Sequence, residues 1–123
     1  MIFDLSAAVL INESRNPHRA GDIAIFKTIA DAEKYLEPID VLNNEYAAFT
    51  LDGQILELDV IGDRVRIRHT RDHGDHCDQI RSLLEAYADA VLTAQKRRGL
   101  GATQLSPSKM SIDELVKLIG FSQ

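Results

Sequence analysis

Tryptophan is absent from this 123-residue chain, aromatic residues make up only 6 per cent of it, and there is a single cysteine, Cys77. One thiol cannot form an internal disulfide, which fits a reducing compartment, although it could still bridge two chains. No apolar run reaches the length of a membrane span. The apolar start, Met1 to Ile11, lacks a basic n-region and carries Asp4, so neither a signal peptide nor a membrane segment is expected and the protein reads as cytoplasmic. Also missing are a glycine-rich phosphate loop, a serine nucleophile elbow, an HExxH helix, internal repeats and low-complexity tracts. The chain reads as a non-enzyme. With 45 per cent apolar residues it is long enough to bury one core without disulfides or metal, and residues 1–123 read as one domain.

What is present is clearest between Glu45 and Thr70, which reads as a three-stranded antiparallel meander. Asp52-Gly53 and Gly62-Asp63 are turn signals between runs that alternate apolar and polar residues. With Gly62 and Asp63 as a two-residue loop, Glu57 faces Arg68, Asp59 faces Arg66, Val60 faces Val65 and Leu58 faces Ile67. Acid then meets base on one face, and apolar residues gather on the other. Taking Asp52 and Gly53 as the second loop pairs Phe49 with Leu56 and Ala47 with Leu58.

Around the meander the patterns continue. Phe3 to Ile11 favours a strand, with a short helix as the alternative, and Asp22 to Lys27 reads as a buried strand beside the meander. Thr28 and Asp31 begin a short helix that Pro38 ends, and Ile39 to Asn44 turns the chain, Asn43-Asn44 tolerating left-handed backbone. Ile80, Leu83, Leu84, Tyr87, Val91 and Leu92 recur at helical spacing, with Asp75 as N-cap and Gly99 as the closing residue. Residues 99–110 read as a flexible connector. Ser111 and Glu114 form a capping box for a last helix, with Gly120 and Phe121 fitting a Schellman end. The expected fold is α+β: an antiparallel sheet of the meander 45–70 and one or two N-terminal strands, packed by a long helix near 76–98 in two layers. Short helices lie near 29–37 and 111–119.

The net charge of −5 is unevenly spread. Residues 28–63 hold nine acids against Lys34, a net of −8, whereas residues 64–98 hold eight bases against five acids, a net of +3. Glu57 and Asp59 have cross-strand arginines to meet, but Glu33, Glu37, Asp40 and Glu45 have no evident partner, which makes them candidates for holding a basic protein. The arginines Arg64, Arg66, Arg68 and Arg71 form a stripe without interleaved aromatics, so a solvated face is favoured over a nucleic-acid platform.

His69, His73, His76 and Cys77 are the one cluster of metal-capable side chains, and they could surround zinc. Their spacing is nevertheless none of the usual paired knuckles, and adjacent His76 and Cys77 converge poorly on one ion. Near a helix start Cys77 could also be a nucleophile with His73 or His76 as base, a reading that Asp75 and Asp78 oppose. No catalytic residue is assigned.

The stretch Asp31-Ala32-Glu33-Lys34-Tyr35-Leu36-Glu37-Pro38-Ile39-Asp40-Val41, with Asn44-Glu45-Tyr46 and the Asp52-Gly53 turn, resembles small bacterial proteins with an Ala-Glu-x-Tyr-Leu-Glu-Pro-Ile-Asp-Val core followed by Asn-Gly-Glu-Tyr. Some of these resemble the immunity proteins that accompany contact-delivered toxins. The resemblance covers about thirty residues by count of the matched stretch, carries no functional residue over, and has Asn43-Asn44 where Asn-Gly is usual. It implies an immunity-like inhibitor of a basic toxin or nuclease domain. Two other readings stay open: a homo-oligomeric structural or regulatory module assembled through residues 111–121, and a zinc-binding protein or enzyme built on the His69 to Cys77 cluster.

Overall fold

The computed structural model describes residues 7–70, 75–97, 99 and 106–122. Five strands, β1 (Val9–Glu13), β2 (Asp22–Phe26), β3 (Ala47–Thr50), β4 (Ile55–Ile61) and β5 (Arg64–His69), form one antiparallel sheet in the order β2-β1-β3-β4-β5. With the helices this is the expected α+β class. The first strand is confirmed over Val9–Glu13, and residues 3–6 of the expected strand lie outside the described residues. β2 is not beside the meander, because β1 runs between them.

Helices cover the sheet on both faces, which corrects the two-layer expectation. Successive residues Val9, Leu10 and Ile11 are all at 0 per cent exposure, so β1 is buried front and back, as unbroken apolar runs in a sheet usually are. On one face Leu10, Ile23, Ile25, Phe49 and Leu51 pack with Ile80, Leu83, Leu84 and Ala88 of α3 (Cys77–Arg97) and Leu115 and Val116 of α4 (Ile112–Ile119). The other face carries Val9, Ile11, Phe26, Leu56, Val65 and Ile67, covered from α1 (Ile29–Tyr35) and its cap by Ala32 and Leu36 and from α2 (Pro38–Leu42) by Val41. The apolar face of the meander thus belongs to α1 and α2. The long helix takes the opposite side, where β1 and β2 supply the apolar surface that a one-faced sheet would lack.

The β4–β5 hairpin has the expected register throughout, from Leu56 opposite His69 to Ile61 opposite Arg64. The β3–β4 hairpin is shifted by one: Ala48 pairs with Leu56 and Phe49 with Ile55. Its loop has three residues, because the Thr50 N–H donates to the Gln54 carbonyl at 2.8 Å and the Thr50 hydroxyl oxygen accepts the Gln54 N–H at 3.1 Å. The change of loop length sends Phe49 and Leu51 to the α3 side of the sheet.

Local end signals are realised closely. Thr28 caps α1 by accepting the Asp31 N–H at 3.1 Å, and Ser111 and Glu114 make the reciprocal capping box of α4. Asn44 takes the left-handed conformation with φ 55°. Pro38 ends the first helix as expected, Glu37 being extended at φ −97° and ψ 131°, but it also opens α2, where its missing N–H costs nothing, so the expected turn over Ile39 to Asn44 is largely helix. A short 3₁₀ turn, Pro107–Lys109, lies inside the expected connector. Gly120 has φ 86° and ψ 159°, so the chain leaves α4 extended and not in a Schellman turn. Ser122 then donates to the Ile25 carbonyl at 2.7 Å, placing the tail along the outer edge of β2.

Candidate functional site

The acids singled out in the sequence fall into two groups. Glu33 is already engaged: from α1 its Oε2 accepts the backbone N–H of Ile67 in β5 at 2.8 Å. It satisfies an edge donor that would otherwise lack a strand. Nothing in the sequence links positions 33 and 67, and only the crossing of α1 over β5 brings them together.

Glu37, Asp40 and Glu45 do share a region. Glu37 is the exposed N-cap residue of α2, and its carbonyl accepts the N–H groups of Asp40 and Val41. Asp40 is tied down twice, its carbonyl accepting the Glu45 N–H at 3.0 Å and its carboxylate the Tyr46 hydroxyl at 3.1 Å. A hydrogen bond with Asp40 holds the Glu45 carboxyl above its ordinary value of 4.5, with slight desolvation and the Asp40 charge acting the same way and Arg15 opposing. Arg15, from the β1–β2 loop, lies 3.6 Å from Glu45. Both groups are largely solvated, so that ion pair contributes little. Burial, and then the bond to Asp40, push the Tyr46 phenol up to about 12, and burial with a 2.9 Å bond to Glu13 does the same for Tyr35. Both tyrosines stay neutral hydrogen-bond donors.

Two apolar side chains stand out beside these acids. Ile39 and Leu42 of α2 are 64 and 69 per cent exposed, while Val41 of the same helix turns into the core beneath. Sequence reasoning missed both. A five-residue helix has no periodicity from which to choose its inner side, and that choice depends on how Pro38 and the Asp40 contacts dock it. Among the described residues, Tyr35 and Ile61 are the other exposed large apolar residues, at 39 and 55 per cent.

The His and Cys cluster is dispersed. His69 is exposed on β5 opposite Leu56, His76 precedes α3 and donates its N–H to the Gly53 carbonyl at 2.8 Å, and His73 lies outside the described residues. Among the described residues no three His, Cys, Asp or Glu side chains gather closely enough to hold a metal ion. Cys77 packs under the β3–β4 loop, its Sγ 3.4 Å from the Asp52 carbonyl. A hydrogen bond with Asp75 first, then burial and the charges of Asp75, Asp52 and Asp78, push this thiol up to about 11. A thiol in that state is a poor nucleophile near neutral pH. Asp75 is not the N-cap expected: His76 directly precedes α3 and its carbonyl accepts the Ile80 N–H, while Asp75 accepts the Cys77 N–H at 2.9 Å, and hydrogen bonds with the Cys77 side chain first and its backbone second hold the Asp75 carboxyl low.

The basic stripe of β5 is only partly paired. The strand register sets Arg66 beside Asp59, yet Arg68 reaches both acids, 3.7 Å from Glu57 and in direct contact with Asp59. Arg64 and Arg66 keep no ion-pair partner among the described residues. Leu115 and Val116 of α4, the apolar centre of the 111–121 segment, are at 0 per cent exposure within the chain's own core. No helix among the described residues is long and apolar enough to cross a membrane.

No family model matches this chain, and neither a curated protein nor a solved structure matches it.

Proposed function

We propose that this protein is a non-enzymatic binding module that holds a basic protein partner through α2 and the chain around it. The observation that carries the reading is the exposed pair Ile39 and Leu42, flanked by the carboxylates of Glu37, Asp40 and Glu45. An apolar centre with a charged rim is the usual anatomy of a protein interface, the centre supplying affinity and the rim steering. At 64 and 69 per cent exposure, full burial of each side chain would contribute about 1–2 kcal/mol. That is enough to make the two of them anchors. Basic groups on the partner would relieve the crowding of Asp40 and Glu45. Most concretely, the partner is a toxin or nuclease domain kept inactive by the contact, the role implied by the resemblance to immunity-like proteins.

The test is a pull-down from the native host lysate at low and moderate salt, followed by direct titration of the captured protein. The wild type is compared with Ile39→Ser/Leu42→Ser and with Glu37→Lys/Asp40→Lys/Glu45→Lys. A basic protein held by the wild type, released by raised salt and bound at least tenfold more weakly by either variant is the expected result. Equal binding by the Ile39→Ser/Leu42→Ser protein, or capture of nothing but further copies of the chain, would sink the reading.

A further inference from the structure

The two edges of the sheet are treated differently. At β2 the chain's own tail supplies a backbone partner, Ser122 donating to Ile25. At β5 the Glu33 carboxylate takes the Ile67 N–H. Backbone groups alternate in direction along a strand, so Val65 and His69 point outward with Ile67, while Arg64, Arg66 and Arg68 face β4. Side chains alternate too. Val65 and Ile67 lie on the face beneath α1, and Arg64, Arg66 and Arg68 lie on the other.

Between this edge and α1 runs an open groove of about 500 Å³, lined by Ala30, Glu33, Lys34 and Leu36 on one side and residues 63–65 on the other. We propose that the outer edge of β5 accepts an extended acidic peptide from a partner protein as a sixth, antiparallel strand. The features that fit that occupant are outward backbone groups, the apolar Ala30, Leu36 and Val65 in a groove otherwise lined by charged residues, and Arg64 and Arg66, unpaired among the described residues, for the acids between them. In antiparallel pairing an acid opposite Arg66 comes closest to it, while an apolar residue opposite Ile67 exchanges backbone hydrogen bonds with it. Glu33 is the placeholder that the incoming strand displaces. A second copy of β5 is a poor occupant, because it sets arginine against arginine.

The probe is a labelled, end-blocked eight-residue peptide alternating Glu and Val, titrated into the full chain by fluorescence anisotropy. Hydrogen exchange of the protein amides follows the site. N-methylation at the valines removes the donors that face β5 and is expected to weaken binding about tenfold or more, whereas N-methylation at the glutamates leaves it within about threefold. Arg64→Glu/Arg66→Glu and a Lys-Val peptide should each lose about tenfold, and Glu33→Ala should tighten binding about threefold or more, since no carboxylate then competes for the Ile67 N–H. Bound peptide should protect the amides of Val65, Ile67 and His69. Equal binding by both N-methylated peptides, protection centred on α2, weaker binding by the Glu33→Ala protein once its folding is verified, or no binding of the Glu-Val peptide would each overturn the proposal.

Discussion

Replacing Gly53 by alanine tests how firmly the β3–β4 loop is locked to the start of α3. The His76 N–H donates to the Gly53 carbonyl at 2.8 Å, and the Cys77 Sγ lies 3.4 Å from the carbonyl of Asp52. A Cβ at position 53 would stand 2.7 Å from Cys77 Sγ and 2.8 Å from Asp75 Oδ1, on a backbone with φ 106°. The left-handed backbone alone costs a residue with a Cβ about 1–2 kcal/mol, and forcing atoms into filled space adds about 1–3 kcal/mol. Restriction of the unfolded chain returns about 0.5–1 kcal/mol. Gly53→Ala is therefore expected to destabilise by about 1–4.5 kcal/mol, a large share of the stability of a domain this size. Urea unfolding followed by circular dichroism measures it. Cys77→Ala removes the nearest obstacle, so the double variant should be about 1 kcal/mol more stable than the sum of the two single changes. The strain at φ should remain. A Gly53→Ala cost below about 0.5 kcal/mol, or additivity within about 0.3 kcal/mol, would refute the packing account.

Asn12 is fully buried, its side chain donating to the Arg19 carbonyl at 2.9 Å and accepting the Gly21 N–H at 2.8 Å; Asn12→Ala should cost about 1–3 kcal/mol in urea unfolding, and a neutral result would mean that water replaces both contacts. Because the folded state raises the Glu45 pKa, this group favours folding at low pH and loses that contribution as pH rises above 4.5. Glu45→Gln should flatten that part of the stability profile, and an unchanged slope would remove the Asp40 contact as its cause. Hydrogen exchange should find the α2 amides far less protected than the buried centre of α3, because a five-residue helix with no buried residue is held only by its ties; equal protection would contradict this.

Register and caps were legible where the signal was local. The acid and base alternation of β4 and β5 makes a one-residue slip place apolar side chains against arginines, so only one pairing survives. Thr28, Ser111 and Glu114 act through bonds spanning three residues, which a sequence displays directly. The β3–β4 register depended on whether Leu51 belongs to the strand or the loop, and the Thr50 contacts with Asp52, Gly53 and Gln54 that decide this are local but compete with the two-residue Asp52-Gly53 turn signal. The second layer of helices was foreshadowed by the unbroken runs Ala8 to Ile11 and Ile23 to Phe26, which ask for cover on both sides; judging the core from the meander alone hid that demand. Of the candidate site, the acids were visible as charge. That Glu33 is occupied, and that Ile39 and Leu42 are exposed, follows from how α1 and α2 cross the strands, and no local pattern encodes it.

Solubility and cover alone do not account for α2. Val41 already covers the strands beneath, so polar residues at positions 39 and 42 would serve the fold equally well and the solvent better. A hydrogen bond with Asp40 also holds the Glu45 carboxyl above its ordinary value, which disfavours the Glu45 charge in the free protein. Both costs fall together when a surface that is apolar at its centre and basic around it is brought against α2. Pairing two copies through α2 would improve only the first, since it sets Glu37, Asp40 and Glu45 against their own counterparts. In the proposed reading, an exposed apolar pair beside these acids fits a different, basic chain better than a second copy of this one.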